Sequence, residues 1–103
     1  MGQTAGVLRH IVVFSWKPDT TPEQVASVEN ALTELQALVP ELRSYAFGSD
    51  LGLSAVPGDF AVVAEFEDEA GWRVYDQHPF HATVRSEVIG PLAASRMGVQ
   101  FSS

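Results

Sequence analysis

Between residues 8 and 16 the chain alternates with a period of two. Leu8, His10, Val12, Phe14 and Trp16 fall on one face, and Arg9, Ile11, Val13 and Ser15 on the other. This predicts a strand that is apolar on both sides, covered by helices on one face and by something else on the other. The period then lengthens. Thr21-Pro22-Glu23-Gln24 reads as a helix start, with Thr21 as N-cap, Pro22 at the first helical position and Gln24 placed to close a capping box. Val25, Val28, Leu32, Leu35 and Val39 recur at three- and four-residue intervals, so the helix is expected to run to about Val39, where Pro40 stops it.

Leu42 to Asp50, with Tyr45 and Phe47 before Gly48, predicts a second strand, followed by a loop through Gly52, Pro57 and Gly58. In a third strand Phe60, Val62, Ala64 and Phe66 share a face opposite Ala61, Val63 and Glu65. Asp68 can cap a short helix carrying Trp72 and Tyr75. His78-Pro79 breaks that helix, because a residue before proline disfavours helical geometry while proline suits the first position of a new one. Phe80, Val84 and Val88 give the second piece its stripe, Gly90-Pro91 ends it, and Met97, Val99 and Phe101 alternate in a last strand. The order is β-α-β-β-α-β, an α+β chain of the ferredoxin-like kind. Its helices cover one sheet face, so the other is expected to pack on a second copy, giving a homodimer built as a dimeric α+β barrel.

A length of 103 residues with 46% hydrophobic content suits one domain, expected over residues 7–103 behind a loose tail at 1–6. Six Lys and Arg stand against 13 Asp and Glu, a formal net charge of −7, which disfavours nucleic acid and anionic membrane surfaces as partners. Cysteine is absent, which removes disulfides, thiolate metal sites and a thiol nucleophile. Neither a basic, apolar leader nor a bilayer-length apolar run is visible, so a cytoplasmic location is the default expectation.

Chemistry falls to histidine, tyrosine and carboxylates. Phosphate loops, H-E-x-x-H motifs and serine nucleophile elbows are missing from the sequence. The distinctive stretch is Tyr75-Asp76-Gln77-His78-Pro79-Phe80-His81. His81, in the first turn of the new helix, is expected to be a neutral imidazole, because unpaired N–H groups and the positive end of the helix dipole disfavour a proton there. Ordering the helix end is its competing role. His78 precedes Pro79 and is expected to shape the turn, by capping the next helix or bonding a neighbouring carbonyl; a catalytic role would require its ring to face the cavity. His10 sits on an apolar strand face and needs a polar partner. That partner could be in the core, or His10 could share a cavity with Tyr75 and His81. Asp76 and Glu65 could each orient an imidazole or simply be solvated. The two histidines of H-P-x-H could share a metal, although no third ligand is identifiable and no metal site is assigned.

The stretches Leu8-Arg9-His10-Ile11-Val12-Val13-Phe14, Gly58 to Phe66, and Tyr75 to His81 resemble the stress-responsive A/B barrel (Dabb) family, from Leu8 to Phe101. The resemblance implies the dimeric barrel and a cavity between each sheet and its helices. The family includes plant stress proteins, uncharacterised bacterial proteins and a polyketide cyclase that closes its substrate by aldol condensation with no redox cofactor. By that likeness His81 is the base that takes a proton beside a carbonyl, Tyr75 orients the carbonyl, and His10 is a pocket histidine. Val12, Phe14, Val28, Leu32, Phe60 and Trp72 are expected to bind a small apolar, aromatic or polyketide-like ligand. Phe60 stands where the cyclase has a further histidine, which alters the pocket's polarity. The implied function is a cofactor-independent, cyclase-like enzyme or small-molecule binder. The alternatives are a non-catalytic stress or assembly module and a ferredoxin-like monooxygenase.

Overall fold

A computed structural model describes residues 6–55 and 57–103. The tail expected at residues 1–6 therefore lies outside the described residues except for Gly6. Strands β1 (Leu8–Trp16), β2 (Leu42–Ser49), β3 (Phe60–Phe66) and β4 (Ala93–Ser102) form one antiparallel sheet in the order β2-β3-β1-β4. The helices are α1 (Pro22–Leu38), α2 (Glu69–Gln77) and α3 (Pro79–Thr83), and α3 runs directly into a π-helical segment, Val84–Ile89. The fold is ferredoxin-like α+β. No helix among the described residues is long and apolar enough to cross a membrane.

Local signals set the element ends. The Thr21 hydroxyl accepts from the Gln24 N–H at 3.2 Å while the Gln24 side chain accepts from the Thr21 N–H at 2.8 Å, a reciprocal capping box. Val39 is the C-cap of α1, which therefore ends one residue short of the expected boundary. Asp68 caps α2 by accepting from the Gly71 N–H at 3.0 Å. The apolar stripe of α1 buries Val28, Leu32 and Leu35 against the inner faces of β1 and β3, where Val12, Phe14, Phe60, Val62, Ala64 and Phe66 are buried. Val25 only flanks this core.

The π segment corrects the expected stripe of the last helix. Phe80 and Val88 are half-buried, and the residues that turn fully inward are His81, Val84 and Ile89. The cause is a wider turn: the Gly90 N–H bonds the Arg85 carbonyl, five residues back, at 2.9 Å. Gly90 is required for closeness rather than for backbone conformation. Its φ is −51°, but a Cβ there would meet the Arg85 oxygen at 2.7 Å.

Registration brings matching residues of all four strands into rows. Tyr45, Ala64, His10 and Gln100 lie side by side on the helix-facing surface, and Phe14 is paired with both Phe60 and Arg96. The opposite surface carries Ala46, Val63, Ile11 and Val99 in one row, with Val13, Met97 and Phe101 nearby. Gly90→Ala is expected to cost about 1–3 kcal/mol in chemical denaturation, through the Cβ clash that widens the π turn. Leu35→Ala, at a fully buried site, is expected to cost about 2–5 kcal/mol.

Candidate functional site

A cavity of about 90 Å³ opens between the inner face of β1 and β4 and the segment from α2 to the π turn. Its walls include His10, Tyr75 and His81 together with Val12, Phe14 and Leu32. Three residues expected there stand elsewhere. Val28 and Phe60 are buried in the core behind the lining side chains, Phe60 stacking toward Phe47 and Trp16. Trp72 packs beside the second core cluster, its ring centroid 6.2 Å from that of His10. Its indole N–H is buried with no partner among the described residues. Periodicity placed these three on the correct faces, but which part of a face borders the void depends on how the helices lie across the sheet.

His81 enters from α3, and its Nδ1 lies 3.0 Å from the Asp76 carbonyl oxygen. A carbonyl only accepts, so Nδ1 carries the hydrogen and the neutral ring keeps its lone pair on Nε2. That nitrogen makes no hydrogen bond among the described residues, and it is not sealed from solvent. Burial lowers the His81 pKa below its ordinary value, the Asp76 carbonyl raises it, and the Arg85 guanidinium lowers it again. The neutral form expected from the sequence thus has a different leading cause, desolvation rather than the helix end.

His10 is held from the neighbouring edge strand. The Gln100 amide nitrogen lies 2.8 Å from its Nδ1 and donates to it, which leaves the His10 hydrogen on Nε2. Burial again lowers this pKa, with Asp76 raising it and Arg96 lowering it. The two imidazoles therefore present opposite functions, a lone pair on His81 and an N–H on His10, neither engaged by another of the described residues.

Tyr75 lies between them, its ring centroid 4.3 Å from that of His81 and 6.2 Å from that of His10. Its phenol shares a 2.8 Å hydrogen bond with the Tyr45 phenol, and burial raises the pKa of both. One hydroxyl donates to the other, so the pair retains a single free O–H. Sequence reading placed Tyr45 on β2 without assigning it to the site. The available signal was register: Tyr45 occupies the row of His10, separated from it by the small Ala64. Arg85 and Arg96 were also missed, and both line the cavity.

His78 does not line this cavity. Its Nδ1 accepts from the Phe80 N–H at 3.0 Å and caps α3. Asp76 is at the cavity wall and pairs with Arg85 at 3.5 Å, whereas Glu65 pairs with Arg9 at 3.0 Å on the far face. Among the described residues no three His, Cys, Asp or Glu side chains are grouped to hold a metal.

Residues 8–103, which hold this whole arrangement, match the model of the Stress responsive A/B Barrel Domain (Dabb). The chain belongs to that family. It is 21% identical over 94 residues to the stress-response A/B barrel domain-containing protein HS1 of Arabidopsis thaliana, spanning 89% of this chain and 86% of that one. A dimeric ferredoxin-like protein of unknown function from Thermobifida fusca is 46% identical, with a TM-score of 0.88 over 98% of this chain and 93% of that one. Hydroxynitrile lyase from Passiflora edulis superposes with a TM-score of 0.83 over 95% and 94% of the two chains, at 20% identity, a likeness of fold alone.

The Dabb histidines make stability pH-dependent. Both bind a proton less readily in the folded chain than in the unfolded one. The unfolded chain therefore gains protons first as pH falls through the ordinary value of 6.5, and stability falls with it until pH passes below the lowered folded values. The melting temperature is expected to drop between pH 7.5 and 5.5, a range in which most carboxylates stay ionised. In a double His10→Gln, His81→Gln variant that drop should be smaller; an equal drop would assign the effect to other groups.

Proposed function

We propose that the cavity is a cofactor-independent proton-transfer site for a small carbonyl compound. The observation that carries this reading is the complementary tautomer pair: His81 offers a lone pair and His10 an N–H on the same cavity. His81 Nε2 removes a proton from the carbon beside the carbonyl, and the C–H electron pair moves into a C=C bond as the carbonyl electrons go to oxygen. His10 Nε2–H, with the free hydroxyl of the Tyr45–Tyr75 pair, holds the developing enolate oxygen. The imidazolium formed on His81 is stabilised through Nδ1–H by the Asp76 carbonyl, then returns its proton to carbon or oxygen.

This keeps the chemistry that the cyclase resemblance implies but reduces the substrate. The cavity volume is about 90 Å³. Pockets for drug-sized ligands run from about 300 to 1,000 Å³. A short carbonyl compound suits the space better than a linear polyketide. The site's seclusion under α2 and α3 supports a neutral base, since burial is the leading influence on both imidazoles.

Deuterium incorporation beside the carbonyl of butanone in D2O, followed by proton NMR, tests this reading. Exchange above the buffer rate is expected. His81→Gln should reduce it by about 10²–10⁴-fold, the usual contribution of a positioned base. Background exchange alone in the wild type would leave the non-catalytic module as the better account.

We further propose that the protein is a homodimer, as the Thermobifida relative is described as dimeric, and that its open sheet face forms the interface. Met97, Val99 and Phe101 are 77%, 57% and 46% exposed there, a contiguous apolar surface beside Ile11 and Val13 that water covers poorly. Light scattering should give twice the chain mass, and Val99→Glu should shift it toward one chain.

A further inference from the structure

Resting on the proton-transfer reading of this cavity, we infer that its substrate carries a carboxylate, a short-chain keto acid, and that Arg96 binds that carboxylate.

The chain has few cations, six Lys and Arg among 13 acidic residues, and two of the six line this one small cavity. Arg85 comes from the π turn and Arg96 from β4, so guanidinium groups stand on both walls. Their situations differ. Arg85 is already engaged by Asp76 at 3.5 Å. The ion pairs among the described residues use Arg9, Arg73 and Arg85, and Arg96 enters no ion pair or side-chain hydrogen bond among those residues. Of the two arginines at the cavity, Arg96 is therefore the one whose guanidinium is not already matched to a carboxylate among the described residues.

Register explains the placement. Arg96 is opposite Phe14 on the helix-facing side of β4, and Gln100, four residues on, is opposite His10. Between them on that face stands Gly98, opposite Val12. A Cβ at Gly98 would make only ordinary contacts, 3.5 Å from the Ile11 oxygen and 3.8 Å from a Val12 methyl, so fold geometry does not demand glycine there. His10 and Arg96 both line the cavity, so one small molecule there can meet both. Guanidinium suits a carboxylate because its two N–H groups match the two oxygens in parallel. Arg96 is near enough to His10 for its charge to disfavour a proton on that ring.

Pyruvate and 2-oxobutyrate, compared with butanone and methyl pyruvate, separate charge recognition from carbonyl recognition. Dissociation constants come from NMR titration, and deuterium exchange is followed in the same samples. The acids are expected to bind at least tenfold more tightly than the uncharged compounds, with the preference shrinking at 0.5 M salt. Arg96→Gln should bring the ratio near one, Arg96→Lys should restore part of it, and Arg43→Gln, on β2 away from the cavity, should leave it unchanged. Each variant's melting temperature reports whether it folds. No preference for the acids in the wild type, a preference that survives Arg96→Gln, or no binding of any compound overturns the inference. Exchange of butanone with no acid preference would sink the carboxylate assignment alone. Arg96-dependent binding of the acids without exchange of any compound would instead sink the proton-transfer reading and keep the anion site.

Discussion

One row of residues across the sheet, Gln100–His10–Ala64–Tyr45, holds the site together, because antiparallel register makes these four side chains neighbours on one face. Each member sets a condition for the next. Gln100 donates to His10 and selects its tautomer. Ala64, with no accessible surface, is small enough for Tyr75 of α2 to reach the Tyr45 hydroxyl above it. Tyr75 in turn packs its ring on His81, which the Asp76 carbonyl fixes in the complementary tautomer. A one-residue slip of any strand would send its member of the row to the opposite face.

The second organising feature is electrical. On a chain with a formal charge of −7, two uncharged imidazoles face a cavity to which arginines contribute the cationic side chains. Burial keeps the rings neutral, and the nearby guanidinium groups act in the same direction. Asp76 opposes both through its charge, yet its backbone carbonyl is what orients His81. One residue thus holds the imidazole ready to accept a proton and favours the cation once the proton arrives.

Much of the fold was legible because its signals are local. The capping box at Thr21, the break at His78-Pro79 and the period-two strands depend on residues a few positions apart, and the structure realises them with boundary shifts of a residue or so. The π turn was not legible. A five-residue hydrogen bond at Gly90 leaves no distinctive period in so short a segment; Val84 is buried as its spacing predicts, but Ile89 takes the inward place expected of Val88. His10, Tyr75 and His81 stand out in the sequence by residue type and position, and they line one cavity.

The sequence by itself determined the order of elements, the two-sided apolar strand, the helix break and the chemical types on hand, since each follows from backbone preference and hydrophobic spacing. Tertiary structure decided which of those groups meet. Tyr45 joined Tyr75, Gln100 joined His10, and Arg96 joined the cavity, because strand register and helix packing relate residues far apart in the chain, 90 positions for Gln100 and His10, and no local pattern encodes it. It also decided that Val28, Phe60 and Trp72 pack beside the void rather than around it. A void is what remains after side chains from the sheet and the helices have been placed, so its outline belongs to their packing and not to any one segment.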